Sequence, residues 1–249
     1  MKHSESDRRL VLGQQAVREA IRVHGPRLHE VLIEERPGLR AAALERFAFD
    51  QGIAALRRVP RSYLDQLSGS TLHQGVAAWA DPLPLTPASE LWERPDLLAV
   101  ALDGIVDPQN FGAVVRSAVA LGRAPVLWPE NASAPLTPAT FRASAGAVEH
   151  ATLCRVSSLP SALRDAAAHG VQVLGLAPEA DDALHEVDLQ GPTLLVIGSE
   201  HEGMGKAVRR SCSRLVRLVA PGAVQSLNAS VAAGIALYAA SIQRTKSNT

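Results

Sequence analysis

Apolar positions along residues 10–80 alternate between two rhythms. In LGQQAVREAIRV (12–23) they recur three and four residues apart, which predicts a helix, and LHEVLIEE (28–35) then reads as a short strand. AAALERFAFDQGI (41–53) returns to helical spacing and stops at Gly52. A strand follows around LRRVP (56–60), a short helix at RSYLDQLSG (61–69) and a last strand at GVAAWA (75–80). Strands interleaved with helices predict a small α/β sandwich.

The next stretch, DPLPLTPASELWERPD (81–96), is too rich in proline for one regular element, so it reads as a linker with one helical turn around Ser89–Trp92. LLAVALDGI (97–105) is a continuous apolar strand of the kind buried on both faces of a parallel sheet. The alternation then resumes: a helix near 111–121, strand APVLW (124–128), a helix near 138–146 and strand ATLCRV (151–156). Helix LPSALRDAAAHG (159–170), strand VQVLGLA (171–177) and strand TLLVIGS (193–199) follow. Helix GKAVRRSC (205–212), strand LVRLVAP (215–221) and a final helix, NASVAAGIALYAASIQRT (228–245), complete the pattern. The expected architecture is an α/β fold: a small N-terminal domain at 1–80, a linker at 81–96 and an open parallel α/β domain at 97–249. Ligands of such open sheets bind outside the carboxyl ends of the strands.

Composition narrows the class without choosing a function. The 249 residues are 47% hydrophobic and 20% charged, with formal net charge +0, as expected of a soluble globular protein. No apolar run is long enough for a bilayer span and MKHSESDRRL has no signal-peptide core, so a cytoplasmic protein without a membrane is expected. The two cysteines, Cys154 and Cys212, form no CxxC or Cys/His cluster; buried thiols and no metal are expected. Charge is uneven: residues 1–80 carry 12 Lys/Arg and 9 Asp/Glu, a net of +3, and the remainder a net of −3. A local run of Lys206, Arg209, Arg210, Arg214 and Arg217 reads as a solvated helix face. This distribution permits RNA binding without predicting it.

Three loops follow predicted strands. In DPQNFGAVVRSA, Asp107-Pro108 starts a turn, Asn110 can cap the following helix, and Asn110, Arg116 and Ser117 are expected on its first two turns. An arginine so early would oppose the helix dipole unless it served an anion such as an RNA phosphate. In LLVIGSEHEGMGK the glycines at 198, 203 and 205 fit neither GxGxxG nor the P-loop, and Glu200 and Glu202 would repel a pyrophosphate. Neutral or cationic ligands with hydroxyls suit it better. In SLNASVAAGIAL, Ser226 or Asn228 can cap a helix of small residues that admits a close neighbour.

Together these three segments resemble the motifs of the SpoU (TrmH-like) RNA 2′-O-ribose methyltransferases of the SPOUT superfamily. GQQAV, YLDQ and HQGVAA resemble that family's small N-terminal substrate-binding domain, so the likeness spans the chain. It is nearest to the bacterial enzymes that methylate a guanosine ribose in large-subunit ribosomal RNA. The resemblance implies a deep trefoil knot, a homodimer and S-adenosylmethionine (SAM) as cofactor. It places Gly198, Leu218 and Leu227 against the adenosyl group, with Leu176, Ala177 and Ser226 close by. It assigns catalysis to Arg116, supported by Asn110, Glu200, Ser226 and Asn228, with either Arg116 or an RNA phosphate or water as the path for the 2′-hydroxyl proton. Where the family commonly has glycine after the motif 2 glutamate, this chain has His201, which would be strained at a positive φ. His73 is assigned to the N-terminal domain's structure or its RNA contacts. The alternatives are a transfer-RNA 2′-O-methyltransferase, a catalytically inactive RNA-binding protein of the same fold, and a nucleotide-dependent oxidoreductase, which the absent GxGxxG disfavours.

Overall fold

The computed structural model describes residues 8–70, 72–131, 136–222 and 227–246. The chain forms two compact units, Met1–Leu83 with Leu136–His150, and Pro84–Pro135 with Ala151–Thr249.

The first unit is built on strands β1 (Arg9–Leu12), β2 (Glu30–Glu34), β3 (Leu56–Val59) and β4 (Val76–Ala80), in the order β1-β4-β2-β3. Only β2 and β3 run parallel. Side chains alternate across a strand, so neighbours serve opposite faces. Val11, Val31, Ile33, Val76 and Ala78 pack on one face with α1 (Gln14–His24) and α2 (Leu39–Asp50). Leu12, Leu32 and Ala77 pack on the other with Leu64 of α3 (Arg61–Ser68). Strand β1 was absent from the sequence reading, which began a helix at Leu12. Three apolar residues are too few to set a period, and the break is made by Gly13, whose φ of 92° lets the chain turn into α1. His73 is fully buried: Nδ1 accepts the Gly75 N–H at 3.0 Å and Nε2 donates to Asp65 Oδ1 at 2.9 Å. Both ring nitrogens are thus used internally, which gives it a structural role.

Residues 136–150 belong to this unit. The helix expected near 138–146 is shorter, α6 (Pro138–Ala143), and it packs on β1. Beyond it Glu149, whose side chain is 0% exposed, receives Arg9 Nη1 at 2.7 Å and His24 Nε2 at 2.8 Å. Burial alone would raise the Glu149 carboxyl; the hydrogen bonds and charges of His24 and Arg9 outweigh it and hold it below its ordinary 4.5. A depressed carboxyl stabilises the fold fully above that ordinary value and loses the contribution as pH falls through the lowered one. Glu149→Ala strands a buried guanidinium, and urea unfolding is expected to show about 3–5 kcal/mol of destabilisation at neutral pH. An unchanged unfolding midpoint would contradict this account.

The second unit contains six parallel strands, β5 (Leu98–Leu102), β6 (Val126–Pro129), β7 (Leu153–Val156), β8 (Gln172–Leu176), β9 (Thr193–Ile197) and β10 (Arg214–Val216). Their order is β10-β8-β9-β5-β6-β7. Strands β5 and β9 are buried throughout, as continuous apolar runs require when both faces are covered. Helices α5 (Pro108–Ala120), α7 (Leu159–Ala168), α8 (Lys206–Ser211) and α9 (Ala229–Lys246) cover the sheet. The 81–96 stretch read as a linker contains α4 (Ser89–Trp92), and from Pro84 onward it joins this unit. Thr86 N–H bonds the Leu153 carbonyl at 2.8 Å, and Trp92 Nε1 donates to Asp165 at 2.9 Å. From β5 the chain builds outward to β6 and β7, then returns to build β8 on the other side of β9. The carboxyl ends of β5, β9 and β8 therefore lie side by side where the build order reverses, the place where open α/β sheets hold ligands.

Candidate active site

Strand β9 ends at Ile197 and enters Gly198, where a Cβ would lie 2.2 Å from the Gly203 carbonyl carbon and 2.3 Å from Met204 N. Only glycine fits that approach. The loop closes on itself through Ser199 N–H to Gly203 O at 3.1 Å and Gly203 N–H to Ser199 O at 3.0 Å. Asp103, just past β5, accepts the Gly205 N–H at 2.7 Å and ties the loop to the neighbouring strand. His201 is exposed and has no positive φ; within the loop that conformation falls on Gly203 at 66°. The strain expected at His201 therefore does not arise.

Helix α5 is capped by Asp107, whose carboxylate accepts from Gln109 N at 3.1 Å and Asn110 N at 3.3 Å. The expectation that Asn110 caps this helix is corrected: a cap with Pro108 at the first helical position is already complete. Asn110 is thereby left to donate Nδ2 to Glu200 Oε1 at 2.8 Å. Asn228 does cap α9, its Oδ1 accepting from Ser230 N at 2.9 Å and Val231 N at 3.2 Å. Its Nδ2 donates to Asn110 Oδ1 at 2.9 Å and also to Glu200 Oε1. Three residues from three separate segments thus close one polar network, with the carboxylate as common acceptor and the asparagines fixed by it. Ser226 lies outside the described residues.

Arg116 is the ninth residue of α5, in its third turn, and it is exposed. The expectation of an arginine in the first two turns is corrected, and with it the dipole argument, because that field is confined to the first turn. Among the described residues Arg116 has no hydrogen-bond partner and stays available to a ligand. Its neighbour Ser117 faces Gly234 of α9, where an added Cβ would meet the Ser117 hydroxyl at 3.5 Å.

Beside the network opens a cavity of about 330 Å³ lined by Leu176, Ala177, Gly198, Leu218 and Leu227, the described residues expected to hold a cofactor. Strand β10 stops at Val216, short of the expected 221, which leaves Leu218 in a loop that reaches the cavity. The lining adds Glu179, Glu200 and Glu202 against a single guanidinium, Arg209. The sequence reading missed Glu179, Arg209 and Asp103. A carboxylate directly after a buried strand was the available signal for Asp103, whereas nothing local marked the others. Of the basic run, Lys206 and Arg210 are exposed, but Arg209 pairs with Glu179, Arg214 with Asp182 at 2.5 Å, and Arg217 donates to the Ala180 carbonyl at 2.8 Å. Together these three contacts fasten the loop after β8. Burial pushes the Cys154 and Cys212 thiols up to about 11, too high for nucleophiles at neutral pH. Among the described residues no cluster of His, Cys, Asp and Glu gathers to hold a metal, and no helix is long and apolar enough to cross a membrane.

A parallel α/β sheet with a glycine-shaped, acidic cleft at its switch point defines an open α/β protein with a ligand site beyond the carboxyl ends of its strands. Residues 97–238 match the SpoU rRNA Methylase family and residues 10–86 match the RNA 2′-O ribose methyltransferase substrate binding family. The chain belongs to the SpoU family of methyltransferases. It is 39% identical over 240 residues to an uncharacterized tRNA/rRNA methyltransferase of Mycobacterium avium, covering 94% of this chain and 77% of that protein. It resembles the crystal structure of the SpoU methyltransferase AviRb from Streptomyces viridochromogenes in complex with AdoMet. That likeness has a TM-score of 0.79 and 26% identity, and covers 97% of this chain and 92% of that one. A TrmH/SpoU tRNA modifying enzyme of A. aeolicus aligns with a TM-score of 0.55 and 26% identity over 65% of this chain and 84% of its own.

Proposed function

We propose that the protein transfers the methyl group of SAM to the 2′-hydroxyl of a guanosine ribose in large-subunit ribosomal RNA, as a cytoplasmic homodimer. The observation that carries the reading is the meeting of the Asn110–Glu200–Asn228 network with the cavity beside Gly198. The cavity suits SAM on three counts. Its volume falls in the range of small-molecule sites. Its apolar side chains, Leu176, Leu218 and Leu227, offer a wall for a flat base. Its three carboxylates favour a sulfonium and disfavour a phosphate.

SAM supplies an activated methyl group; the chain's residues supply position and charge. Gly198 and the closed loop shape the cofactor seat, while Glu200 fixes the two asparagine amides at its edge. The Arg116 guanidinium stabilises the 2′-oxygen as it gains negative charge or holds the adjacent phosphate. The proton then leaves to phosphate or water. Holding oxygen and methyl in near-attack geometry is capable of roughly 7–11 kcal/mol. The knot implied by the motifs is part of this proposal, as are the roles of Ser226 and the rRNA-binding role of the first unit.

Support for the homodimer comes from α9. Ala233, Ala236, Leu237 and Ala240 are buried, yet Val231, Ile235, Tyr238 and Ile242 form an exposed apolar stripe at helical spacing. A helix apolar on all sides is one that a partner covers. Ile235→Glu is expected to convert a dimer to a monomer in light scattering at micromolar protein. A variant that kept the wild-type mass would remove α9 from the interface.

Incubation with methyl-labelled SAM and ribosomal or transfer RNA tests the function. Because alkaline cleavage needs a free 2′-hydroxyl, the label is expected in an alkali-resistant dinucleotide from the ribosomal RNA alone. Label in single nucleotides would reject ribose methylation, and label only in transfer RNA would reject the substrate. Leu227→Arg, which puts a charge into the cavity wall, is expected to remove SAM binding in calorimetry while leaving the fold intact by circular dichroism. Unchanged affinity would argue against this cavity as the cofactor seat.

A further inference from the structure

The cavity carries a polar feature that no motif describes. Glu179 follows Ala177-Pro178 at the end of β8 and pairs with Arg209 of α8, and both line the cavity. The loop that holds it is fastened by Arg214 on Asp182 and Arg217 on the Ala180 carbonyl. Its carboxyl lies below the ordinary value because Arg209 and its own backbone N–H both bond it. Arg209 Nη1 is bound to Oε1, and among the described residues no other side chain donates to this carboxylate. A loop carboxylate at a cavity edge thus presents an ionised acceptor that stays open to a ligand.

Its place across the sheet says which part of a nucleoside it meets. Strand β8 borders β9 on the side away from β5, so Glu179 lies across the cleft from the network that Asn110 and Glu200 anchor. The base belongs on the wall of Leu176, Leu218 and Leu227, and the methyl end at the network. The sugar joins those two ends. We propose that Glu179 accepts the ribose hydroxyls of the cofactor's adenosine, with Arg209 as the positioning residue that aims it; this rests on the SAM reading above. A vicinal diol donates two O–H groups to a carboxylate and leaves the Arg209 pair intact.

Calorimetry on the full chain with S-adenosylhomocysteine and with 5′-methylthioadenosine tests the assignment. Both ligands are neutral overall and both keep the diol, but only the first has the tail. Glu179→Ala, a change at an exposed position, is expected to weaken both by the same factor of about 10- to 100-fold. Glu179→Gln, which retains one acceptor oxygen, is expected to fall between. A loss confined to S-adenosylhomocysteine would assign Glu179 to the tail and overturn the proposal, and unchanged affinity for both would do the same. If the wild type bound neither ligand, the SAM reading itself would fail, and this assignment with it.

Discussion

Gly198→Ala is expected to lower SAM affinity by about 10- to 100-fold, the scale set by the roughly 1–3 kcal/mol that overpacking costs. The added methyl would stand 2.2 Å from the Gly203 carbonyl carbon and 2.3 Å from Met204 N. Both are backbone atoms, so no rotamer change relieves the overlap. The loop must open, and the Ser199–Gly203 hydrogen bonds that close it, at 3.1 and 3.0 Å, are lost with Glu200's aim. Gly205→Ala provides the contrast: its Cβ would meet Asp103 Oδ2 at an ordinary 3.5 Å, and near wild-type affinity is expected. Isothermal calorimetry on both variants decides the matter. Equal affinities for the two would show that the close approach at residue 198 does not shape the cofactor seat.

Arg116→Ala is expected to lower kcat by about 10²–10³, the usual loss when one charge-stabilising donor is removed from a reacting oxygen. SAM affinity should stay near wild type, since Arg116 is absent from the cavity lining. The side chain is exposed and, among the described residues, unpaired, so its removal leaves no buried charge behind and little stability is lost. Arg116→Lys keeps the charge but loses the planar fork, and partial recovery is expected if charge alone serves the oxyanion. Single-turnover methylation alongside SAM calorimetry separates chemistry from binding. Full turnover in Arg116→Ala would exclude it from the mechanism. The helix dipole plays no part, because Arg116 lies in the third turn of α5 and that field is confined to the first.

How much of this was legible along the chain follows the range of the forces involved. The apolar runs at 98–102 and 193–197 announced buried parallel strands, because burial on both faces leaves no polar positions to interrupt them. The helix at 61–68 was legible from its spacing alone. Strand β1 was not: Arg9–Leu12 is short, and its identity comes from pairing with β4, some seventy positions away. The cap of α5 was misjudged because Asp107 and Asn110 are both good caps locally. What separates them is a carboxylate ninety residues later, which the freed Asn110 bonds. Arg209 and Arg214 read as a solvated face because their partners, Glu179 and Asp182, precede them on another strand's loop.

The sequence by itself determined the alternation of strands and helices, the glycine at 198 and the likeness to a methyltransferase family, which pointed to Leu176, Ala177, Leu218 and Leu227. Those are carried by periodicity and by short contiguous motifs, and both survive in one dimension. Only the tertiary structure decided that Asn110, Glu200 and Asn228 share one network, that Asp103 ties the loop down, and that Glu179 faces the same cavity. It also decided that residues 136–150 pack with the first unit, through a carboxylate buried on Arg9 and His24. The physical reason is the same in each case. A hydrogen bond or ion pair acts over about 3 Å of space and is indifferent to separation along the chain, so its partners become visible only once the backbone has folded them together.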